Sequence, residues 1–319
     1  VKQLGDPFQE GGLMVNYMAM KMATGFSADV ILGGDGNDQH FGTSGKELAL
    51  HWQLRTRGMS WLQRAISAAG RSGVFDSQSK LFRLRFHNNK VLHIIESDCF
   101  GFPLYQARKF LDIQGKFCQY TYASDFPAHF DNFDHFYFTR NYLIDIEQVV
   151  NEVILFKASR IADLFGNPLT FPYMSTELYD FLQTLPRHYK CRGSVGEIAR
   201  GKGTAKFIHK NYLKPFLPKE ITQRKKQGGF APLPLFFRDP DQRRAIIEII
   251  RNSGFYKSLR NRNPIEDFFR EYETKSLNEH QWFWYRQLMA FRFFNLAVMA
   301  IWWEIHIEGK TGSKTTDFL

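Results

Sequence analysis

The sequence predicts a mainly α protein with one small α/β unit near its N-terminus. Two observations carry that expectation. "ADVILGG" (28–34) is a short apolar run closed by glycines, with a helical pattern before it and a second helix beginning near Asp38. After about residue 57 the pattern turns mostly helical, with one exception near 81–97.

In order, "LMVNYMAMKMAT" (13–24) carries a helical pattern with Met and Tyr on the buried stripe. "ADVILGG" reads as a fully apolar strand of the kind found inside a parallel sheet. "MSWLQRAISAAG" (59–70) reads as one helix. "KLFRLRFHNNKVLHIIES" alternates around "HNNK", which predicts a β-hairpin over 81–97. A long helix is expected from about Ile144 to Phe165, and another through "STELYDFLQTL", capped by Ser175 or Thr176. Pro215, Pro218, Pro232 and Pro234 break the segment around "RKKQGGFAPLP" into an ordered loop. Helices resume at "DQRRAIIEIIRNSG", "PIEDFFREY" and "EHQWFWYRQLMAFRFFNLAVMAIWWEIH". The membrane-like run "LAVMAIWW" is too short to span a bilayer, and Arg292 and Asn295 precede it, so a buried amphipathic helix is expected.

Composition narrows the class. With 319 residues, 44% of them hydrophobic, the chain can bury a real core, and 32 phenylalanines predict one built from large rings. The net charge of +10, from 42 Lys and Arg against 32 Asp and Glu, favours anionic partners. The basic residues are scattered and form no zinc-finger or aromatic-interleaved RNA pattern, so no nucleic-acid partner is expected. Three cysteines without a CxxC pair read as idle thiols in a reducing, cytoplasmic setting. No HExxH or other ligand spacing points to structural zinc. The chain starts at Val1 with no signal peptide after it, which reads as a start inside a longer product.

Three stretches could carry chemistry. In "ILGGDGNDQHFG" (31–42), Gly33, Gly34 and Gly36 permit positive φ and close ligand approach, and their N–H groups can meet an anion. Asp35 and Asp38 stand at the carboxyl end of the strand, where open α/β sheets bind ligands and where a carboxylate can hold Mg²⁺ bridging to phosphate. Helix capping by Asp38, with Asp35 complementing the dipole, explains the same spacing equally well. "GEIARGKGTAK" (196–206) places Gly196, Gly201 and Lys202 as in a phosphate-binding P-loop. Gly203 stands where Ser or Thr must hold the metal, and no strand is expected before it, so a basic loop is the reading. In "ITQRKKQGGFAPL" a lysine in a Gly/Pro loop could stabilise developing charge, or could be a solvated basic loop.

Taken in order, these pieces resemble the synthetase domain of the asparagine synthetase family, which also includes β-lactam synthetases. "GDPFQEGGLMVNYMAMKMATGFSADVILGGDGNDQHFG" is similar to the family's Glu-Pro-Phe helix and "SGxGxDExFGG" turn. "VILFKASRIADLFGNPLTFPYMSTELYDFLQTLP" is similar to "LLKxDRxSMAxGLExRxPFLDxxLVxxAxxLP". "KFIHKNYLKPFLPKEITQRKKQGGFAPLPLFF" is similar to "KxxLRxAxxxxLPxxIxxRxKxGFxxPxxxW". The resemblance implies one synthetase domain over 1–319, with 1–57 carrying the acidic motif and 58–319 mostly helical. It implies the C-terminal helical part of an adenine-nucleotide α-hydrolase-like, or ATP-pyrophosphatase, fold.

The implied activity is AMP-forming carbon–nitrogen ligation, in which ATP activates a carboxylate and ammonia or an amine attacks it. The implied cofactors are ATP and Mg²⁺, with aspartate or another carboxylate as substrate. By position, Asp38 matches the Mg²⁺-ligating aspartate and Asp35 an acidic residue at the acceptor end. Lys226 matches the loop lysine that stabilises the acyl-adenylate, with Lys225 the alternative across one extra glycine. Arg160 matches the arginine of "KxDR", and Gly33, Gly34 and Gly36 the nucleotide-side turn. Gln39 replaces the family's Glu, His40 and Thr43 interrupt the end of that motif, and Ser159 replaces Asp. Pro168 and Thr170 replace a Glu and an Arg, which puts aspartate as the substrate in question.

The 319 residues contain no "SGGxDS" phosphate loop and no glutaminase domain, so that loop and the ammonia source are expected outside this chain, which should not be competent alone. No membrane partner is expected, and a homo-oligomer is left open. The alternative is a non-catalytic or repurposed homologue, acting as a tailoring ligase or as a binding or scaffold protein.

Overall fold

The computed structural model describes residues 1–62, 101–111, 127–222 and 231–310, except 3, 9, 27, 44, 60, 103 and 128, together with Ala65, Arg83 and Arg224. The architecture is mainly α with two small two-stranded sheets.

Helix α1 (Gly12–Thr24) leads to strand β1 (Ile31–Leu32), helix α2 (Asn37–Phe41) and helix α3 (Lys46–Thr56). Helix α4 (Leu104–Phe110) follows. A long helical rod is made of α5 (Phe133–Arg140), the π-helical α6 (Asn141–Leu155) and α7 (Phe156–Phe165), end to end. The predicted helix therefore starts at Phe133 rather than Ile144. Its true start is marked by Asn132, whose side chain accepts the His135 N–H at 2.9 Å, and it stops at Gly166 in the left-handed conformation.

Strand β2 (Leu169–Thr170) leaves that stop and pairs parallel with β1, as the apolar run predicts. Burial does not follow the expectation. Leu32 is 65% exposed and Val30 is exposed beside it. Among the described residues β1 is bonded along one edge only, so its apolar character is not matched by neighbours on both sides. Met20 of α1 packs with Ile161 and Ala162 of α7 and with Ile31 and Leu169, and this small core holds the strand ends in place.

Helix α8 (Thr176–Thr184) starts at Ser175, the expected cap, whose hydroxyl accepts the Leu178 N–H. Helix α9 (Arg187–Lys190), strand β3 (Cys191–Arg192), helix α10 (Val195–Ala199), strand β4 (Thr204–Ala205) and helix α11 (Phe207–Leu213) follow, with β3 and β4 antiparallel. A short strand thus precedes Gly196, contrary to expectation. Even so, α10 begins at a Ser194–Glu197 capping box and ends before Gly201 and Lys202. In a P-loop the helix starts directly at the Gly-Lys pair, whereas here strand β4 comes between that pair and α11.

A second core surrounds Phe136, Tyr137, Cys191 and Ile198, with the Trp52 ring stacked on Phe136 at 5.6 Å. The largest core belongs to α12 (Pro240–Asn252), α13 (Asn263–Glu271) and α14 (Phe283–Trp302), where Ile250, Ile265 and Phe293 are fully buried. Asp239 caps α12 by accepting the Gln242 N–H at 2.8 Å, and Pro240 fills its first turn. The predicted core of large rings is explicit here: Phe237, Phe269 and Tyr272 all pack on Phe293. Helix α14 runs on through Trp303–Ile307, and by length and composition this continuous helix could cross a membrane, unlike the short run seen in the sequence. It is nevertheless the central core helix, with 78% of its most apolar window buried in the protein.

The predicted hairpin over 81–97 lies outside the described residues except Arg83, which is helical. So does most of the helix expected over 59–70, and so do residues 225–230 of the predicted loop, which ends in a helical turn at Leu233–Phe236.

Candidate functional site

The glycine–aspartate turn hangs from the β1–β2 pair. Ile31 N–H donates to Pro168 O and Gly33 N–H to Thr170 O, both at 2.7 Å. The two family-motif departures, Pro168 and Thr170, therefore supply the ladder that positions the turn through their backbone carbonyls. Gly33 is required because a β-carbon there would lie 2.6 Å from the Phe171 ring. Gly36 has φ +86, and a β-carbon there would collide with Met174 Sδ. Gly34 alone is exposed with open space beside it. Of the three predicted phosphate-side glycines, Gly33 and Gly36 are constrained by packing, and Gly34 is exposed.

Asp35 is half-buried, and burial pushes its carboxyl above the usual range while the Lys157 ammonium acts in the opposite direction. Lys157, on α7, is itself buried and ion-paired with Glu10, whose other oxygen accepts the Gly12 N–H at 2.8 Å. Neither Lys157 nor Glu10 is singled out by sequence reasoning, although Lys157 is the lysine of the segment that resembles "KxDR".

Asp38 lies in the first turn of α2, whose cap position is Gly36 with no side-chain cap, so the capping alternative is not what the structure shows. Its carboxylate is 2.6 Å from Lys206 Nζ, which also donates to Asn37 Oδ1. Lys206 is the one non-glycine with positive φ (52°) among the described residues, and it sits at the start of α11. That conformation is uncommon for a side chain as long as lysine's. The next turn of α11 brings His209 to stack on Phe41 at 4.5 Å, with Nδ1 3.3 Å from Asn37 Nδ2.

Beneath the turn, Asn141 Nδ2 donates to Gln39 O at 2.9 Å and Arg140 pairs with Asp145. His40 is buried, with Nε2 3.2 Å from Met174 Sδ and Nδ1 without a hydrogen-bond partner among the described residues. Burial and then Lys190 hold its pKa below the ordinary value. Lys190 is fully buried, its Nζ has no hydrogen-bond partner among the described residues, and the Phe138 ring lies 5.3 Å away. Burial lowers its pKa to about 8.

Arg160 shares α7 with Lys157 but is exposed, its guanidinium 5.6 Å over the Phe156 ring. Lys226 and its alternative Lys225 lie outside the described residues. No group of three or more His, Cys, Asp or Glu side chains suited to a metal occurs among the described residues.

These features define a class: a mainly helical domain built onto a parallel strand pair, with an acidic strand-end turn clamped by lysines. The asparagine synthase family model matches residues 1–304, and the chain belongs to the asparagine synthase family. No curated protein and no solved structure matches it. Family membership points to a ligase-type enzyme.

Proposed function

We propose that this chain is the C-terminal portion of the synthetase domain of an AMP-forming carbon–nitrogen ligase with an ATP-pyrophosphatase fold. On this reading ATP activates a carboxylate, pyrophosphate leaves, and ammonia or an amine attacks the activated acyl carbon. The observation that carries it is the turn itself. In an asparagine synthase family chain, two carboxylates stand at the carboxyl end of a parallel strand, each facing a lysine contributed by a distant element. Strand ends of this kind are where α/β folds bind nucleotides.

The residues present fit magnesium in one respect. Mg²⁺ takes one or two protein carboxylates and completes its shell from phosphate and water. Asp38 would supply that carboxylate, and the bound ion would offset charge on phosphate oxygens. Lys206, beside Asp38, would present its ammonium to the phosphates, and the Gly34 backbone would let them approach. The Lys157–Glu10 pair sets the charge facing Asp35 at the acceptor end.

The "SGGxDS" loop and the ammonia source are taken to lie outside these 319 residues. Support comes from the surface: Val15, Met18, Met22, Phe26, Val30 and Leu32 are exposed on or beside α1 and β1, and the described sheet leaves one edge of β1 for further strands.

Pro168, Thr170 and exposed Arg160 favour a second reading within the same chemistry, a tailoring ligase that activates an acid other than aspartate. ATP–pyrophosphate exchange by the full-length protein over a panel of carboxylates tests both. Exchange with aspartate identifies an asparagine synthetase, and exchange with another acid a tailoring ligase. Asp38→Ala is expected to lower exchange by about 100-fold or more with the circular dichroism spectrum unchanged. Absence of exchange with every acid would overturn the ligase reading in favour of a binding or scaffold role.

A further inference from the structure

The basic residues are less scattered than expected. Residues 187–226 hold 12 Lys and Arg against Glu197 and Glu220, a net +10 that equals the net charge of the whole protein. The rest of the chain is neutral in sum, and in the helical core its arginines pair: Arg243 with Glu273, Arg251 with Glu266, Arg238 with Glu279. Within 187–226, Arg187 pairs with Asp134 and Lys206 with Asp38. Arg192, Arg200, Lys202, Lys210, Lys214 and Lys219 form no ion pair among the described residues. Glu197 attracts Arg200 and Lys202, but its carboxylate is already held by the Ser194 N–H and hydroxyl, both at 2.8 Å.

These cations are also ordered in space. Lys206, Lys210 and Lys214 follow at four-residue intervals through α11, with Lys210 N–H donating to Lys206 O at 2.9 Å and Lys214 N–H to Lys210 O at 3.1 Å. They form one row with a spacing of about 6 Å, and the row starts at Asp38, the partner of Lys206. Arg192 flanks it, with its guanidinium 4.5 Å over the Phe207 ring, and the β3–β4 pairing sets Arg192 opposite Thr204, two residues from Lys202. Like charges at four-residue spacing repel and weaken a helix unless something neutralises them, so the row calls for an anionic partner.

The rings of the segment decide which polyanion fits. Single-stranded nucleic acid stacks its bases on rings set among the cations, and an anionic membrane takes up apolar side chains beside them. Tyr212 is 69% exposed and packs with exposed Phe216 at 5.6 Å, but Tyr212 stands about 160° around α11 from the middle of the lysine row. Phe207, which does flank the row, is covered by Arg192. A polypeptide needs no ring. In an extended segment, alternate side chains share one face about 6.7 Å apart, which nearly matches the lysine spacing. Its carboxylates are also the kind of group the turn would activate on the reading above.

We propose that Lys210, Lys214 and Arg192 bind an extended polypeptide segment with Asp or Glu at alternate positions, and that this segment is the carboxylate substrate of the ligase. The substrate role rests on the function proposed above, and the docking surface does not. One side-chain carboxylate, led along the row to the turn, attacks the α-phosphorus of ATP through its oxygen, and pyrophosphate leaves.

Docking is read without ATP. Calorimetric titration of the full-length protein with an alternating Glu-Ser decapeptide is expected to show binding at about 50 mM salt that fades towards about 500 mM. Lys210→Gln combined with Lys214→Gln should weaken it about fivefold or more with the circular dichroism spectrum unchanged, and Tyr212→Ala should leave it as it was. No binding of the peptide, equal or tighter binding of an oligothymidine of similar charge, or affinity that survives the double lysine variant would overturn the docking surface. ATP–pyrophosphate exchange then reads the substrate role, and exchange with the decapeptide supports it. Exchange with a free amino acid but none with a bound peptide overturns that role and leaves the ligase reading intact. Absence of exchange with every acid overturns both, and the docking surface then stands or falls on the binding data.

Discussion

Lys190 offers the sharpest test of the charge arrangement under the turn. Its ammonium is fully buried, lacks a hydrogen-bond partner among the described residues, and has the Phe138 ring 5.3 Å away. Burial lowers its pKa from 10.5 to about 8. At 1.36 kcal/mol per pKa unit, the native state carries ~3 kcal/mol of penalty whenever this lysine is charged in both states. The sign follows from proton counting. Between pH 8 and 10.5 the unfolded chain holds a proton that the folded chain has lost, so stability rises with pH across that window. Below pH 8 both states are charged and the penalty is present in full. Lys190→Met keeps the stem and removes the charge. At pH 7 the variant should be more stable by about 1–3 kcal/mol, the lower figure allowing for the lost ring–cation contact. Paired urea melts of the two proteins from pH 7 to 10.5 cancel the titration of every other group, and the difference should shrink towards zero by the upper end. A difference that stays constant with pH, or a variant less stable at pH 7, would refute the reasoning.

His51, stacked on Phe136, has its pKa lowered to about 4 by burial and then by Arg55. Here the unfolded state binds more protons between pH 4 and 6.5, so stability should fall by up to ~3 kcal/mol on acidification through that window. His51→Phe is expected to flatten that part of the curve, which acid titration followed by circular dichroism would read. At the turn, Gly33→Ala should be destabilising because of Phe171, and Phe171→Ala in the same chain should recover part of the loss. A double-mutant cycle by urea denaturation should give a coupling of about 1 kcal/mol or more, and an additive result would show that the ring is not what excludes the β-carbon.

How much of this was legible in the sequence depended on how local its cause is. Ser175 starts α8 and the apolar run of β1 found a parallel partner, because capping and strand patterning act over a few residues. The start of the long rod at Phe133 and its widened turns had no comparable local signature. Lys157 and Lys206 were invisible for a different reason. Each is one of 42 basic residues, and only the packing of α7 and α11 against the turn selects them. Arg160 shows the same limit in reverse. It lies three residues from Lys157 on α7, yet the helix phase set by α1 and β2 turns the lysine inward and leaves the arginine exposed. The glycines were recognised as special, but the spacing gave no hint that Phe171 and Met174 are what require two of them.

The charge of the turn is close to balanced before any ligand arrives. Glu10, Asp35 and Asp38 face Lys157 and Lys206, three acids against two bases, and burial biases Asp35 towards its neutral form. A group of that kind can fold without a divalent ion, which an uncompensated carboxylate cluster at a strand end could not do cheaply. The same balance constrains how a nucleotide would bind on the proposed reading. On that reading a magnesium ion held by Asp38 would have to share the carboxylate with Lys206 or displace it. A phosphate brought along with the ion would give the displaced ammonium a new partner, so neither charge would be left bare. Free magnesium provides no such exchange. The turn should therefore favour the metal–nucleotide pair over the metal alone, a selectivity that arises from Lys206 rather than from the number of carboxylates.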